Sequence, residues 1–221
     1  MNQHYPVVLK LTGKKCVVIG GGKVAERKVY ALLDCGAEVK LISPSVTNSL
    51  LDMARLSKVK WEKRGYRSGD LSNSRIAFIA VGDEEVTFQC RKEADEAGTF
   101  LNVADKPEWC DFMLPSLHRQ GDLMLMVCTE GNSPMLAKRI RQELEVTYGP
   151  PYGAVVKALG RIRENLGNKI EDQKTRQALF HQLVYEGPVD EALGLPIDEI
   201  EGFLMNAYEN CLRHFVRMSS E

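Results

Sequence analysis

Charge of one sign is not in excess in this chain. Its 29 basic residues stand against 30 acidic ones, a formal net charge of −1. That balance removes any global electrostatic case for nucleic acid or an anionic membrane as partner. Long hydrophobic runs are missing too, since no stretch approaches the roughly 18 apolar residues of a membrane span. The opening Met1-Asn2-Gln3-His4-Tyr5 lacks the basic-then-apolar order of a secretory signal. Six cysteines are present, at 16, 35, 90, 110, 128 and 211, but none forms C-x-x-C. The four histidines, at 4, 118, 181 and 214, add no metal-type pair, so no metal site is expected. Several cysteines lie in apolar runs, where Cys acts as a small hydrophobe, and a reduced, cytoplasmic protein is expected. Three enzyme signatures are absent: the G-x-S-x-G elbow, the Walker A loop, and a Tyr followed four residues later by Lys. No internal repeat or low-complexity tract is present.

What is there suits a folded α/β protein. With 221 residues, 44% of them apolar and 27% charged, the chain fits one large domain, or one medium domain plus a smaller one. Short apolar runs at 16–19, 39–42, 59–61, 76–81 and 100–103 alternate with amphipathic runs at 24–35, 46–56 and 84–97. Strand and helix in repetition predict a doubly wound parallel sheet of the Rossmann type, with helices on both faces. Gly36 stands where a helix C-terminal cap belongs. Beyond residue 111 the pattern changes. Residues 112–115 and 123–128 read as two strands joined through 119–122. Ser133 and Pro134 read as the cap and first residue of a helix reaching about 146. The Gly149-Pro150-Pro151 run reads as a break, with amphipathic helices expected at 152–166, 171–186 and 197–217. The expected divisions are 1–114, 115–150 and 151–221.

The first apolar strand runs into Gly20-Gly21-Gly22-Lys23-Val24-Ala25. This is G-x-G-x-x-A between a strand and a helix, the setting in which it binds a dinucleotide. Gly20 allows the tight turn, Gly22 lets a pyrophosphate approach the backbone, and Ala25 lets helix and strand pack closely. Free N–H groups at the helix start then face the phosphates. A glycine-rich turn with a purely structural role is the alternative. The second strand ends in Ser43-Pro44-Ser45, without the usual acidic residue for a ribose hydroxyl. Ser43 or Ser45 could bond the ribose or cap the next helix, and from the residues alone NAD and NADP stay undecided.

Ligands of an open parallel sheet lie beyond the carboxyl ends of its strands. Asn102 and Asp105 stand at the end of the strand 100–103, and Val81 and Asp83 at the end of the strand 76–81, with Val81, Asp83 and Asn102 expected to contact the cofactor. A carboxylate there could take a proton as hydride leaves a substrate. Asp105 is the first candidate and Asp83 the second. The alternative for Asp105 is a turn or cap before Pro107.

Six segments together, at 6–11, 16–28, 79–83, 102–107, 110–115 and 130–141, carry a family resemblance. The G-G-G-x-V-A-x-R-K run at 20–28 and the G-x-S-P-x-L-A-x-x-I-R run at 131–141 occur in order. They resemble the precorrin-2 dehydrogenases of sirohaem synthesis, also found as the N-terminal module of multifunctional sirohaem synthases. The resemblance implies oxidation of precorrin-2 to sirohydrochlorin with NAD, and a homodimer built by the section after the Rossmann domain. It implies Asp105 as the catalytic residue, and cofactor contacts at Gly22, Lys23, Val24 and Ser43-Pro44-Ser45. It favours NAD, because family ribose contacts use non-acidic residues. Some relatives also insert ferrous iron, so a bifunctional dehydrogenase and ferrochelatase is an alternative. A non-catalytic NAD sensor is another. A substrate with eight carboxylates needs cations, and His118, Arg119, Arg139 and Arg141 are the candidates, with Lys138 beside them. Lys157, Arg161 and Arg163 lie further along. The helix face holding Lys138, Arg139 and Arg141 can equally be a solvated one.

Overall fold

A computed structural model describes residues 4–218, and the chain divides into two compact units between Leu114 and Pro115. The side chains of Asn168 and of residues 214–218, which include His214, lie outside the described set.

In the first unit, β1 (Lys15–Ile19), β2 (Glu38–Ile42), β3 (Lys60–Glu62), β4 (Ile76–Ile79) and β5 (Phe100–Val103) form one sheet. All pairings are parallel, and the order is β3-β2-β1-β4-β5. The central strands β1 and β4 read as nearly continuous apolar runs because both of their faces are covered. On one face, α1 (Lys23–Asp34) and α2 (Asn48–Arg55) press Ala25, Val29, Leu32, Leu50 and Met53 onto Val18, Leu41 and Phe78. On the other, α3 (Glu84–Ala97) sets Cys90 and Ala94 against Val17, Ile19, Ile79 and Leu101. Alternate strand residues thus serve alternate faces, as the pleat requires. The unit is a Rossmann-like doubly wound sheet. Helix α1 stops where expected: Gly36, at φ +70°, returns its N–H to Leu33 at 2.8 Å. Helix α2 is capped by Thr47, whose hydroxyl accepts from the Leu50 N–H. Neither Ser43 nor Ser45 takes that role.

In the second unit, β6 (Ser116–Gln120) and β7 (Leu123–Val127) pair as an antiparallel hairpin. The first strand therefore starts later than the expected 112–115. Arg119 and Gln120 belong to the strand, and Gly121, at φ +56°, makes the turn. Only His118 of β6 is buried, so the strand carries little apolar signal. Helix α4 (Pro134–Thr147) opens on the Ser133 cap. The Gly149-Pro150-Pro151 run does not break the chain but starts α5 (Pro150–Lys169), with Gly149 as cap. Proline tolerates the first helical turn, where its missing N–H has no partner to lose. Helices α6 (Gln173–Tyr185), α7 (Pro188–Leu193) and α8 (Ile197–Met218) follow. The six-residue α7 stands where the sequence shows only Gly and Pro punctuation.

Leu166, Leu179, Leu183, Ala192, Ile200 and Leu204 form the core of these helices. Tyr208 joins them at 1% exposure, and among the described residues its hydroxyl has no hydrogen-bond partner. An unpaired buried hydroxyl costs about 1–3 kcal/mol. Tyr208→Phe should therefore leave stability unchanged or raise it by about 1 kcal/mol. Urea unfolding checks this, and a clear loss of stability would mean the hydroxyl has a partner.

Candidate active site at the carboxyl edge of the sheet

The β1–α1 turn is shaped by contacts that a side chain would break. Gly20 has φ +120° and gives its N–H to the Ile42 carbonyl at 2.9 Å. A Cβ at Gly20 would sit 2.4 Å from the Ala80 carbonyl oxygen. A Cβ at Gly21 would sit 1.9 Å from the Ser45 carbonyl oxygen and 2.7 Å from Ser43 Oγ. Gly21 is thus as constrained as Gly20, which the motif, with a free middle position, does not signal. Gly22 differs, because no protein atom lies within 4 Å of its notional Cβ. It is the extended N-cap of α1 and supplies no side-chain cap, whereas α2 and α3 are capped by Thr47 and Asp83. Lys23 is exposed and pairs with Glu26 at 3.0 Å, and Val24 is exposed beside it. Ala25 is fully buried, as close helix packing requires.

At the end of β2, Ser43 is buried and donates its hydroxyl to the Ser45 carbonyl at 2.6 Å. Trp61 Nε1 donates to the Ser43 carbonyl at 2.9 Å. Ser43 shapes the turn that touches Gly21, while Pro44 and Ser45 are exposed at its tip. The nearby cations are engaged: Lys40 and Arg64 both bind Asp70, and Arg64 also binds Glu62. Burial alone would raise the Asp70 carboxyl, but the hydrogen bonds from Arg64 and Lys40 outweigh it and hold the pKa at about 2.

Past β4, Val81 packs against the core and Asp83 is the α3 cap, accepting from Val86 N–H at 3.1 Å. That task accounts for Asp83. Past β5, the Ala104 N–H reaches the Ile79 carbonyl at 2.9 Å, and the chain then turns through Asp105 at φ +60°. Few non-glycine residues adopt this left-handed conformation, Asp and Asn among them. The Asp105 carboxylate is exposed and has no hydrogen bond or ion pair among the described residues. It does not cap the 3₁₀ turn Pro107–Trp109, whose N-cap is Lys106.

The turn around Asp105 is built on two residues whose importance the sequence does not announce. Cys110 Sγ accepts the Val103 N–H at 3.1 Å and stands 3.3 Å from the carbonyls of Val103 and Lys106. Burial pushes its pKa up, so the thiol stays protonated. Asp111 accepts the Leu101 N–H at 2.7 Å and pairs with Arg91 at 2.9 Å. Together they occupy the free edge of β5. Asn102 Nδ2 donates to the Phe112 carbonyl at 2.9 Å, so this residue braces the same loop.

The expected substrate cations lie in the second unit and have partners there. His118 is 5% exposed, with Nε2 2.7 Å from the Tyr148 carbonyl. The ring ties β6 to the end of α4, and its Nδ1 stands 3.9 Å from Glu145 Oε1. Arg119 is exposed and lies 3.2 Å from Met124 Sδ. Arg139 pairs with Glu143 at 3.0 Å and Arg141 with Glu145. The Arg139 pair is exposed and so weak and exchangeable, while Arg141 is half-buried. Among the described residues no cluster of His, Cys, Asp and Glu has the makings of a metal site.

Comparison with known proteins fits this geometry. Residues 7–116 match an NAD(P)-binding family, and residues 120–147 match the central part of sirohaem biosynthesis proteins. The siroheme synthase of Nitrosococcus oceani is 32% identical over 208 residues, 94% of this chain and 44% of that protein. The chain is related to the siroheme synthases. The siroheme synthase of Pseudomonas entomophila is 31% identical over 85% of the chain and 40% of its own length. The chain thus spans less than half the length of these curated relatives. Among solved structures, SirC, a precorrin-2 dehydrogenase, superposes with a TM-score of 0.75 at 24% identity, over 93% of this chain and 100% of that one.

The first unit of this sirohaem synthase relative is an NAD(P)-binding domain. Its residues fit a dinucleotide diphosphate on two counts. The start of α1 is left uncapped by any side chain, and Gly22 is a glycine that the protein's own packing does not require. Among the described residues no helix is long and apolar enough to cross a membrane.

Proposed function

We propose that this chain oxidises precorrin-2 to sirohydrochlorin with NAD as hydride acceptor, as a cytoplasmic homodimer. The reading is carried by Asp105. It is a carboxylate with no hydrogen bond or ion pair among the described residues, held by an uncommon backbone conformation at the edge that also bears the glycine turn. Such conformations persist where the surrounding structure imposes them, and they cluster at functional sites. The relatives named for sirohaem synthesis and for precorrin-2 oxidation supply the substrate class.

In this reading the α1 N-terminus and Gly22 hold the diphosphate, with Lys23 and Val24 at the same turn. Pro44 and Ser45 lie against the adenine ribose, on a turn kept in shape by Ser43. Val81 and Asn102 complete the floor toward the nicotinamide. No carboxylate at 43–45 repels a 2′-phosphate, but the cations beside β2 are already bound to Glu62 and Asp70, which favours NAD. A bound nicotinamide would supply the hydride acceptor. The substrate loses a hydride from a ring-bridging carbon and a proton from the macrocycle, and Asp105 receives that proton.

Residues 115–150 would form the dimer seam. Leu117, Met126, Met135, Leu136 and Val146 are exposed there, and a second copy would cover them. Arg119, Arg139 and Arg141 remain the substrate-carboxylate candidates of that section, each able to exchange its present partner.

An anaerobic assay tests the activity. Purified chain, precorrin-2 and NAD should yield NADH and sirohydrochlorin in equal amounts, with NADP much less effective. Intact, NAD-binding protein that forms no NADH would leave only a sensor. Sirohaem on adding ferrous iron would extend the activity to chelation.

A further inference from the structure

A lysine on a surface helix ordinarily extends its ammonium into water. Lys28 does not. It flanks the buried stripe of α1 formed by Ala25, Val29 and Leu32, and its Nζ stands 5.1 Å from the centroid of the Phe78 ring. Phe78 is itself 5% exposed and is braced edge-on by Phe112, with ring centroids 5.6 Å apart at 79°. The Phe112 carbonyl is held by Asn102, which pairs with Phe78 across β4 and β5. The ammonium is therefore fixed over a rigid aromatic platform that leads into the Asp105 turn.

What Lys28 lacks is an anion. Lys23, Lys40, Arg91 and Lys106 all have carboxylate partners within ion-pair distance. Among the described residues Lys28 has neither an ion pair nor a hydrogen bond. Burial pushes its pKa down and Arg27 adds to this, while the Asp105 carboxylate opposes it. An aromatic face replaces only part of the hydration such a cation gives up. A ligand carboxylate would replace the rest.

We propose that Lys28 is a specificity-determining residue of this site, whose ammonium receives a carboxylate of an anionic substrate lying against the Asp105 turn. The identity of that substrate rests on the dehydrogenase reading, but the chemistry asks only for a polycarboxylate. Cofactor phosphate is not the intended anion. Lys28 lies six residues past Gly22, about 9 Å along the helix from the phosphate turn.

Uroporphyrin, a porphyrin with eight carboxylates, serves as probe, titrated by fluorescence into the whole chain. Lys28→Met keeps the packed stem and removes the charge; Lys28→Arg keeps the charge. Lys28→Met should weaken uroporphyrin binding at least about tenfold, the equivalent of one modest ion pair. Lys28→Arg should recover most of it, and NAD affinity and Tm should hold in both. In turnover, Lys28→Met should raise KM for precorrin-2 with a smaller change in kcat. Unchanged uroporphyrin affinity, no uroporphyrin binding by the parent chain, or a parallel loss of NAD binding would each overturn the assignment. If Lys28→Met fails to fold, Lys28→Gln is read by the same criteria. A chain that binds uroporphyrin through Lys28 yet forms no NADH would sink the dehydrogenase reading alone.

Discussion

Asp105→Asn is expected to lower kcat about 10²–10⁴-fold, the usual worth of a positioned proton acceptor. NAD affinity and Tm should not move. Asparagine is the informative replacement because of the backbone. Residue 105 sits at φ +60°, a conformation Asn adopts at least as readily as Asp, whereas Ala there would add strain of its own. Asp105→Gly is the matched control. It relieves the backbone and should hold or gain about 1 kcal/mol of stability while being equally inactive. The carboxylate has no partner to lose, so neither variant should disturb the fold. Steady-state NADH formation, isothermal titration with NAD and thermal melts decide the matter. A variant with parental kcat would take Asp105 out of the chemistry.

The three glycines of the first turn should separate cleanly into folding and binding. Gly20→Ala and Gly21→Ala each drive a Cβ to within 2.4 and 1.9 Å of a carbonyl oxygen. Backbone on both sides must shift, and each should cost about 3 kcal/mol or more. Gly22→Ala meets no protein atom within 4 Å, so its stability cost should stay near the 1 kcal/mol of a poorer N-cap. Its NAD affinity should fall on the order of 10²-fold, because the methyl takes the space of the approaching diphosphate. Equal loss of stability across all three, or unimpaired NAD binding by Gly22→Ala, would contradict this division.

The parallel sheet was legible because its central strands are apolar on both faces and its helices carry apolar residues at the three-and-four spacing of 25, 29 and 32 in α1. The outer glycines and Ala25 were legible because their spacing is local. Gly21 was not, since its constraint comes from Ser43 and Ser45, distant in sequence and brought close only by the sheet. Cys110 and Asp111 were hidden for a similar reason: a thiol and a carboxylate stand in for a strand, and no periodicity marks that. Lys28 looks like any surface lysine until Phe78 is placed beneath it. In the second unit, β6 hides behind Ser116, Arg119 and Gln120 because little of it is buried. The surroundings of His118 were not legible, because nothing local distinguishes a buried imidazole bonded to a backbone carbonyl from one awaiting a ligand.

The stand-in along β5 has one more effect. A bare outer strand offers its amides to any other chain in extended form and so seeds misassembly. Here the Leu101 and Val103 amides already belong to Asp111 and Cys110. A foreign strand would have to evict both first, and doing so would also dismantle the support under Asp105. Protection against aggregation and the shape of the reactive corner are thus vested in the same two side chains.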